Sequence, residues 1–438
     1  MVNLVVMDFP NFCRELRLTD AEAEKLFPGF AESARMSGDV QDELSDAYLD
    51  RVLPWVELPK EDDAALRRFA ARLRDDSTEA LLFFHAKRTL FFGPDLKAIC
   101  EWPDFRERFG DDHRLFYLLL SCAVFAAAER SFRDAGLPEE NLRLIGRKIR
   151  GSNWINKEAF GVPGYDRHAL YWLRHYVTLS VIPVGRFEFR LGVARTYGIE
   201  VYRRRADGAI LALAGCGGRT YGFTADGSAC PPDAPDAVAV GALIKTADFI
   251  IGHALDAATG RSSGVVKLLL AEWRPVITAD TPVLEWHIPG GGGMTPEVTG
   301  RSLAEGLAFF ARHFPDRPSP AAVMCSSWAF WHRYEELRPL ANPALVMREC
   351  YEFGRPLRGH NGFYFIFGAN TPDELPGKPR RDTSIRRTML EILEREGFLN
   401  TGGIFILKDD LDKWGRAPYR DELRCRDWQR YLVTAAAR

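Results

Sequence analysis

The chain has 438 residues, is 46% hydrophobic and 27% charged, and carries a formal net charge of −2. Single cores stop growing at about 250–300 residues, so this length and apolar content call for two. The near-neutral balance excludes the basic footprint of a nucleic-acid binder, and the longest apolar run, Leu118 to Ala128, is interrupted by Ser121 and Cys122, short of the ~20 residues that cross a bilayer.

Residues 1–60 are acidic and weakly patterned and read as an extension of short helices. Asp8 follows Val5, Val6 and Met7 at once, so the opening does not read as a signal peptide. From Asp62 the period is helical, with Ala65, Leu66, Phe69, Ala70 and Leu73 on one face. Leu115 to Phe132 reads as a buried helix, and Gly136-Leu137-Pro138-Glu139-Glu140 stops one helix and starts the next. Residues 61–180 are therefore expected to form a helical domain.

The period then changes to two. Arg186 to Arg190, Gly198 to Arg205 and Ala209 to Ala214 alternate, and Ala206-Asp207-Gly208 is a hairpin turn, so an antiparallel meander is expected. Val265 to Val276 and Val283 to Ile288 read as strands, followed by Pro289 and the glycines Gly290, Gly291, Gly292 and Gly293. Thr295-Pro296-Glu297 signals a helix start and Pro315 its end. Ala321 to Trp328, Gly362 to Phe367 and Gly402 to Leu407 read as strands, with helices at Phe330 to Leu337 and Thr383 to Glu396. The fold class is α+β, with a mixed sheet flanked by helices in residues 181–438.

Three clusters bear chemistry. The four glycines lie between a strand and a helix start, where free backbone N–H groups and the helix dipole attract phosphate. Glu285 and His287 are two apart on the preceding strand and so share a face, placed for general base work. Cys325 lies beside Ser326, Ser327 and Trp328; paired with His287 it would make a thiol nucleophile. Tyr334 and Tyr351 are candidate general acids. Arg380, Arg381, Arg386 and Arg387 form a basic cluster that either holds a phosphate or is a solvated face. The eight cysteines are scattered without a C-x-x-C pair, which points to reduced thiols, a cytoplasmic location and no zinc site.

Several motifs stand in order along the chain: Gly136-Leu137-Pro138-Glu139-Glu140; Trp172-Leu173 leading to Gly185-Arg186-Phe187-Glu188-Phe189; and His287-Ile288-Pro289 with its glycines. Cys325-Ser326-Ser327-Trp328, Leu375-Pro376, Thr383-Ser384-Ile385-Arg386-Arg387 and Gly402-Gly403 complete the set. Together they resemble a bacterial family of two-part proteins, a helical N-acyltransferase N-terminal domain followed by a GNAT-like C-terminal domain, whose Gly-Arg-Leu-Gln-Phe is similar to Gly185 to Phe189. Phe187-Glu188 replaces Leu-Gln, Ser326 stands where the family often has His, and no Arg or Gln precedes the glycines as in the usual GNAT loop.

The resemblance implies an N-acyltransferase using acetyl-CoA or another acyl-CoA, with no metal. A small-molecule or peptide amine would attack the thioester directly, with no nucleic acid or membrane partner. It implies donor contacts at Gly290 to Gly293, Ser327, Trp328 and Arg387, and proton transfer by Glu285 or His287. The helical domain would cover the GNAT-like domain and shape the acceptor pocket. Two alternatives are a thiol-dependent hydrolase or transferase built on Cys325 and His287, and a non-catalytic ligand-binding module that keeps the fold.

Overall fold

The computed structural model describes residues 7–36, 42–291, 293–420 and 431–432, so Gly292, Cys425 and the apolar pair Val5-Val6 lie outside the described residues. The chain divides into two compact units: one runs to Pro183 and includes Pro289–Gly291, the other is Val184–Ile288 with the remainder after Gly291. The first is helical and the second is built on sheets, so the chain is α+β.

In the first unit, Lys60–Asp75 carries Glu61, Asp62 and Asp63 in its first turn, where the dipole favours them, and buries Leu66, Phe69, Ala70 and Leu73. Ser77–Phe92 follows after a single residue because the Asp76 carboxylate caps the Thr78 and Glu79 N–H groups. Residues before Lys60 also form helices, and Phe12, Leu16, Leu26 and Phe30 are buried. The expected single helix from Leu115 is two, His113–Cys122 and Val124–Asp134. The full helical run Arg106–Asp134 is long and apolar enough to cross a membrane, contrary to the reading of short runs, and 72% of its most apolar window is buried inside the protein.

The strands in chain order are β1 (Ile182–Val184), β2 (Phe187–Val193), β3 (Ile199–Arg204), β4 (Ile210–Ala214), β5 (Tyr221–Phe223), β6 (Ala229–Cys230), β7 (Ala239–Gly241) and β8 (Ile244–Lys245). Then come β9 (Phe249–Leu255), β10 (Ser262–Leu269), β11 (Trp273–Ile277), β12 (Pro282–His287), β13 (Ala322–Ser327), β14 (Tyr351–Gly354) and β15 (Gly402–Leu407). The main sheet has the order β1-β2-β12-β13-β15-β14; a second has β10-β9-β4-β3-β11, and a third β6-β5-β7. Strands β12 and β13 are parallel, joined through the helix Pro296–His313.

The sheets correct two expectations. No meander joins β2 to β3: the turn Ala194–Tyr197 and Gly198, at φ +76°, carry the chain into the second sheet, and β2 pairs with β12 instead. Gly362 to Phe367 is a short helix, Phe363–Phe367, which buries Phe363 and Phe367 in a cluster with Trp331, Tyr334 and Met389. A short apolar run fits either period, and here tertiary packing chose the helix.

Candidate active site

The candidate site lies where β12 and β13 part. Their ladder consists of Leu284↔Val323 and Glu285↔Met324, yet both strands continue, to His287 and to Ser327. Each keeps its outer partner to the end: His287 opposes Glu188 of β2, and Ser327 opposes Gly402 of β15. The parallel pair thus loses its shared hydrogen bonds at the C-terminal ends while the sheet holds on both sides.

Alternation sorts the side chains. Glu285, His287, Met324 and Ser326 share one face with Glu188 and Arg190, and Trp286 and Cys325 point to the other. Glu285 is buried, and Arg190 lies opposite it with Nη2 2.6 Å from Oε2. The Thr196 hydroxyl donates to Oε1 at 3.5 Å, and Gly192 leaves the room: a Cβ there would stand 2.3 Å from Oε1. Burial pushes the Glu285 carboxyl above the usual range, outweighing Arg190 and Thr196. His287 ends the strand, half-buried, across from the buried Glu188. On the same side the Tyr197 hydroxyl donates to Met324 O at 3.3 Å.

Cys325 is 2% exposed, and burial pushes its thiol far up, with the Glu285 charge adding to the effect. It faces away from His287, so the register separates the two members of the thiol dyad. A protonated thiol in an apolar strand is packing rather than a nucleophile.

Ser327 accepts the Ala329 N–H at 3.3 Å and so turns the chain after β13. Trp328 packs edge-on to Tyr334, ring centroids 5.6 Å apart, in the aromatic cluster. The Tyr334 hydroxyl is buried there without a hydrogen-bond partner among the described residues, and burial raises its pKa well above the usual value. Tyr351 has a different role: its hydroxyl donates to Leu255 O of the second sheet.

The glycine loop does not act as one piece. Gly290 lies against Gly151 in the first unit, where a Cβ on Gly151 would come 3.3 Å from Gly290 Cα. Gly291 takes φ +74° with open space around it. Gly293 lies with the second unit, its carbonyl accepting from Arg186 Nε at 3.3 Å. At the helix start, Thr295 Oγ1 accepts the Val298 N–H and Thr295 O the Thr299 N–H. The Glu297 carboxylate takes its own backbone N–H and the Thr295 hydroxyl, which holds its pKa below the usual range. An acidic side chain therefore already occupies the first turn.

The arginine cluster is spent on its own loop. Arg380 pairs with Asp382 and Arg381 with Glu394. Arg386 is buried on Asp382 and Ile366 O. Arg387 donates to the carbonyls of Arg381 and Asp382 at 2.9 and 3.1 Å, so its sequence role as a phosphate ligand competes with a structural one.

Sequence reasoning passed over Arg190, Glu188, Thr196 and Tyr197. Only Glu188 left a signal, the carboxylate in place of Gln in the Gly185-Arg186-Phe187-Glu188-Phe189 motif.

No curated protein sequence matches the chain. Among solved structures, it is similar to an acyltransferase in complex with decanoyl-CoA and teicoplanin, with TM-score 0.56, 17% identity, and 92% of this chain and 99% of that one covered. It is also similar to an acyltransferase mutant in complex with octanoyl-CoA, with TM-score 0.54 and 17% identity over the same shares. At such identity the likeness is one of fold. Residues 47–179 match the N-acyltransferase N-terminal domain and residues 181–405 the GNAT-like C-terminal domain. The chain therefore belongs to the family in which an N-acyltransferase N-terminal domain precedes a GNAT-like C-terminal domain.

Proposed function

We propose that the chain is an acyl-CoA-dependent N-acyltransferase, with the thioester in the cleft where β12 and β13 part. The early end of that ladder, at Glu285↔Met324, carries the reading, since it frees backbone groups of both strands to bind a donor. An amine nitrogen attacks the thioester carbonyl, the C–N bond forms, the C–S bond breaks, and coenzyme A leaves as the thiolate. His287 takes the amine proton, which ends on the leaving sulfur or in solvent. Glu188 opposite stabilises the imidazolium. Glu285, held by Arg190, is a positioning residue for the end of β12.

The complexes of the structural neighbours with decanoyl-CoA and octanoyl-CoA favour a medium-chain donor over acetyl-CoA, and teicoplanin in one of them favours a small-molecule acceptor. The phosphates would meet the backbone at Gly293 to Thr295, once the Glu297 side chain has swung aside. A cytoplasmic location goes with this reading.

Calorimetry with octanoyl-CoA and acetyl-CoA, followed by thiol release with a pool of amines, tests the proposal. Binding of neither donor sinks it. The occupied helix start favours one second reading, a non-catalytic ligand-binding module. Donor binding without thiol release from any amine would support that module.

A further inference from the structure

Among its described residues, the second unit buries a cation that no acidic group balances. Arg355 directly follows β14 and is 8% exposed. Its Nη1 donates to Thr196 O at 2.9 Å, and its buried Nε has no hydrogen-bond partner among the described residues. Among the described residues, the groups that act on its charge are Tyr221, Arg219 and Tyr197, with no Asp or Glu. The Tyr197 ring lies 5.9 Å from the guanidinium carbon. Burial pulls the guanidinium below its ordinary pKa. A buried ion left without a counter-charge is costly, and native folds rarely keep one unless something else supplies the partner.

The surroundings suit an incoming anion. Arg219 is exposed, in the turn after Gly217 and Gly218, which take φ +69° and +77°. Its like charge makes the unbalanced cation worse in the free protein and adds to the local attraction for an anion. With Nη1 committed to Thr196 O, the remaining edge of Arg355 is Nε with Nη2, the pair that meets a planar carboxylate in two parallel hydrogen bonds. Tyr197 links this edge to the cleft. It packs on Arg355, donates to Met324 O, and feels the charge of Glu285.

We propose that Arg355, with the exposed Arg219 adding its charge, binds a carboxylate of the amine acceptor, which is thus an amino-acid-like anion. The word acceptor rests on the acyltransferase reading above; the anion site does not.

The test is calorimetry of the full chain with succinate, and separately with inorganic phosphate and with coenzyme A, on wild type, Arg355→Met and Arg219→Ala. Succinate should bind the wild type and lose about 10- to 100-fold in Arg355→Met, the range for a charge-assisted contact. Arg219→Ala should lose about 2- to 5-fold, as an exposed charge does. Coenzyme A affinity should stay level in both variants. Without anion, Arg355→Met should melt no lower than wild type, because an unbalanced buried charge has been removed. Three results overturn the assignment: no succinate binding to wild type, unchanged succinate affinity in Arg355→Met, or loss of coenzyme A or phosphate affinity in its place. If Arg355→Met does not fold, unchanged succinate affinity in Arg219→Ala overturns it instead. Failure of both octanoyl-CoA and acetyl-CoA to bind would sink the acyltransferase reading and leave the succinate result standing.

Discussion

Arg190 and Glu285 face each other across β2 and β12, with Nη2 2.6 Å from Oε2, and the carboxyl is still held above its usual range because burial outweighs the ion pair. An acid with a raised folded pKa takes up protons on folding. Its contribution to stability is therefore largest below the ordinary value of 4.5 and is lost as pH rises through the raised one. Glu285→Gln removes that dependence. Urea denaturation at pH 4 and pH 7 should show the wild type losing stability relative to the variant as pH rises. Turnover of Glu285→Gln should fall less than about tenfold, against the 10²–10⁴ typical of a lost general base.

His287→Asn should lower turnover by about 10²–10⁴ while octanoyl-CoA affinity holds, and its rate–pH profile should lose one ionisation. Glu188→Gln restores the family's usual residue opposite His287 and removes the charge that favours the imidazolium. The rate–pH profile should then differ from that of the wild type. Identical profiles in wild type and Glu188→Gln would show that the carboxylate plays no part.

Cys325→Ala should keep turnover within about threefold and cost about 1 kcal/mol of stability, as an ordinary core substitution does. The native thiol should also resist iodoacetamide until the chain is unfolded. Rapid native labelling, or an acyl group trapped on Cys325, would restore the thiol mechanism.

Glu297→Gln should tighten octanoyl-CoA binding about twofold to fivefold at low ionic strength, since it removes a like charge from the helix turn proposed to meet the phosphates. Salt should erase the gain. Weaker binding in the variant would place the phosphates elsewhere.

Acid should unfold the first unit by way of His85. Its ring bridges Ser33 Oγ at 2.9 Å and Leu26 O at 2.6 Å, and burial lowers its pKa from 6.5 to about 4. A base with a depressed folded pKa is protonated more readily in the unfolded chain, so stability falls as pH drops from 6.5 toward 4. His85 alone accounts for up to about 3 kcal/mol of that fall. His85→Gln should flatten the slope of unfolding free energy against pH over this window, and an unchanged slope would assign the acid sensitivity to other groups.

The sequence by itself determined what depends on neighbours along the chain. Thr295-Pro296-Glu297 starts a helix because a capping hydroxyl, a fixed φ and an acidic first turn act within four residues. Glu285 and His287 share a face because alternation needs only their own strand. The switch from helical to alternating period marked where helices give way to sheets. Tertiary structure decided whatever depends on pairing distant segments. Alternation says that β2 is a strand, but long-range contacts chose β12 over β3 as its partner, and that register set Arg190 against Glu285 and Glu188 against His287. The β12–β13 register likewise turned Cys325 away from His287. Arg355 looked like any other arginine after a short apolar run. Its significance lies in being buried without a counter-charge among the described residues, and burial belongs to the whole fold: it is set by which surfaces close over a side chain, which no local spacing encodes.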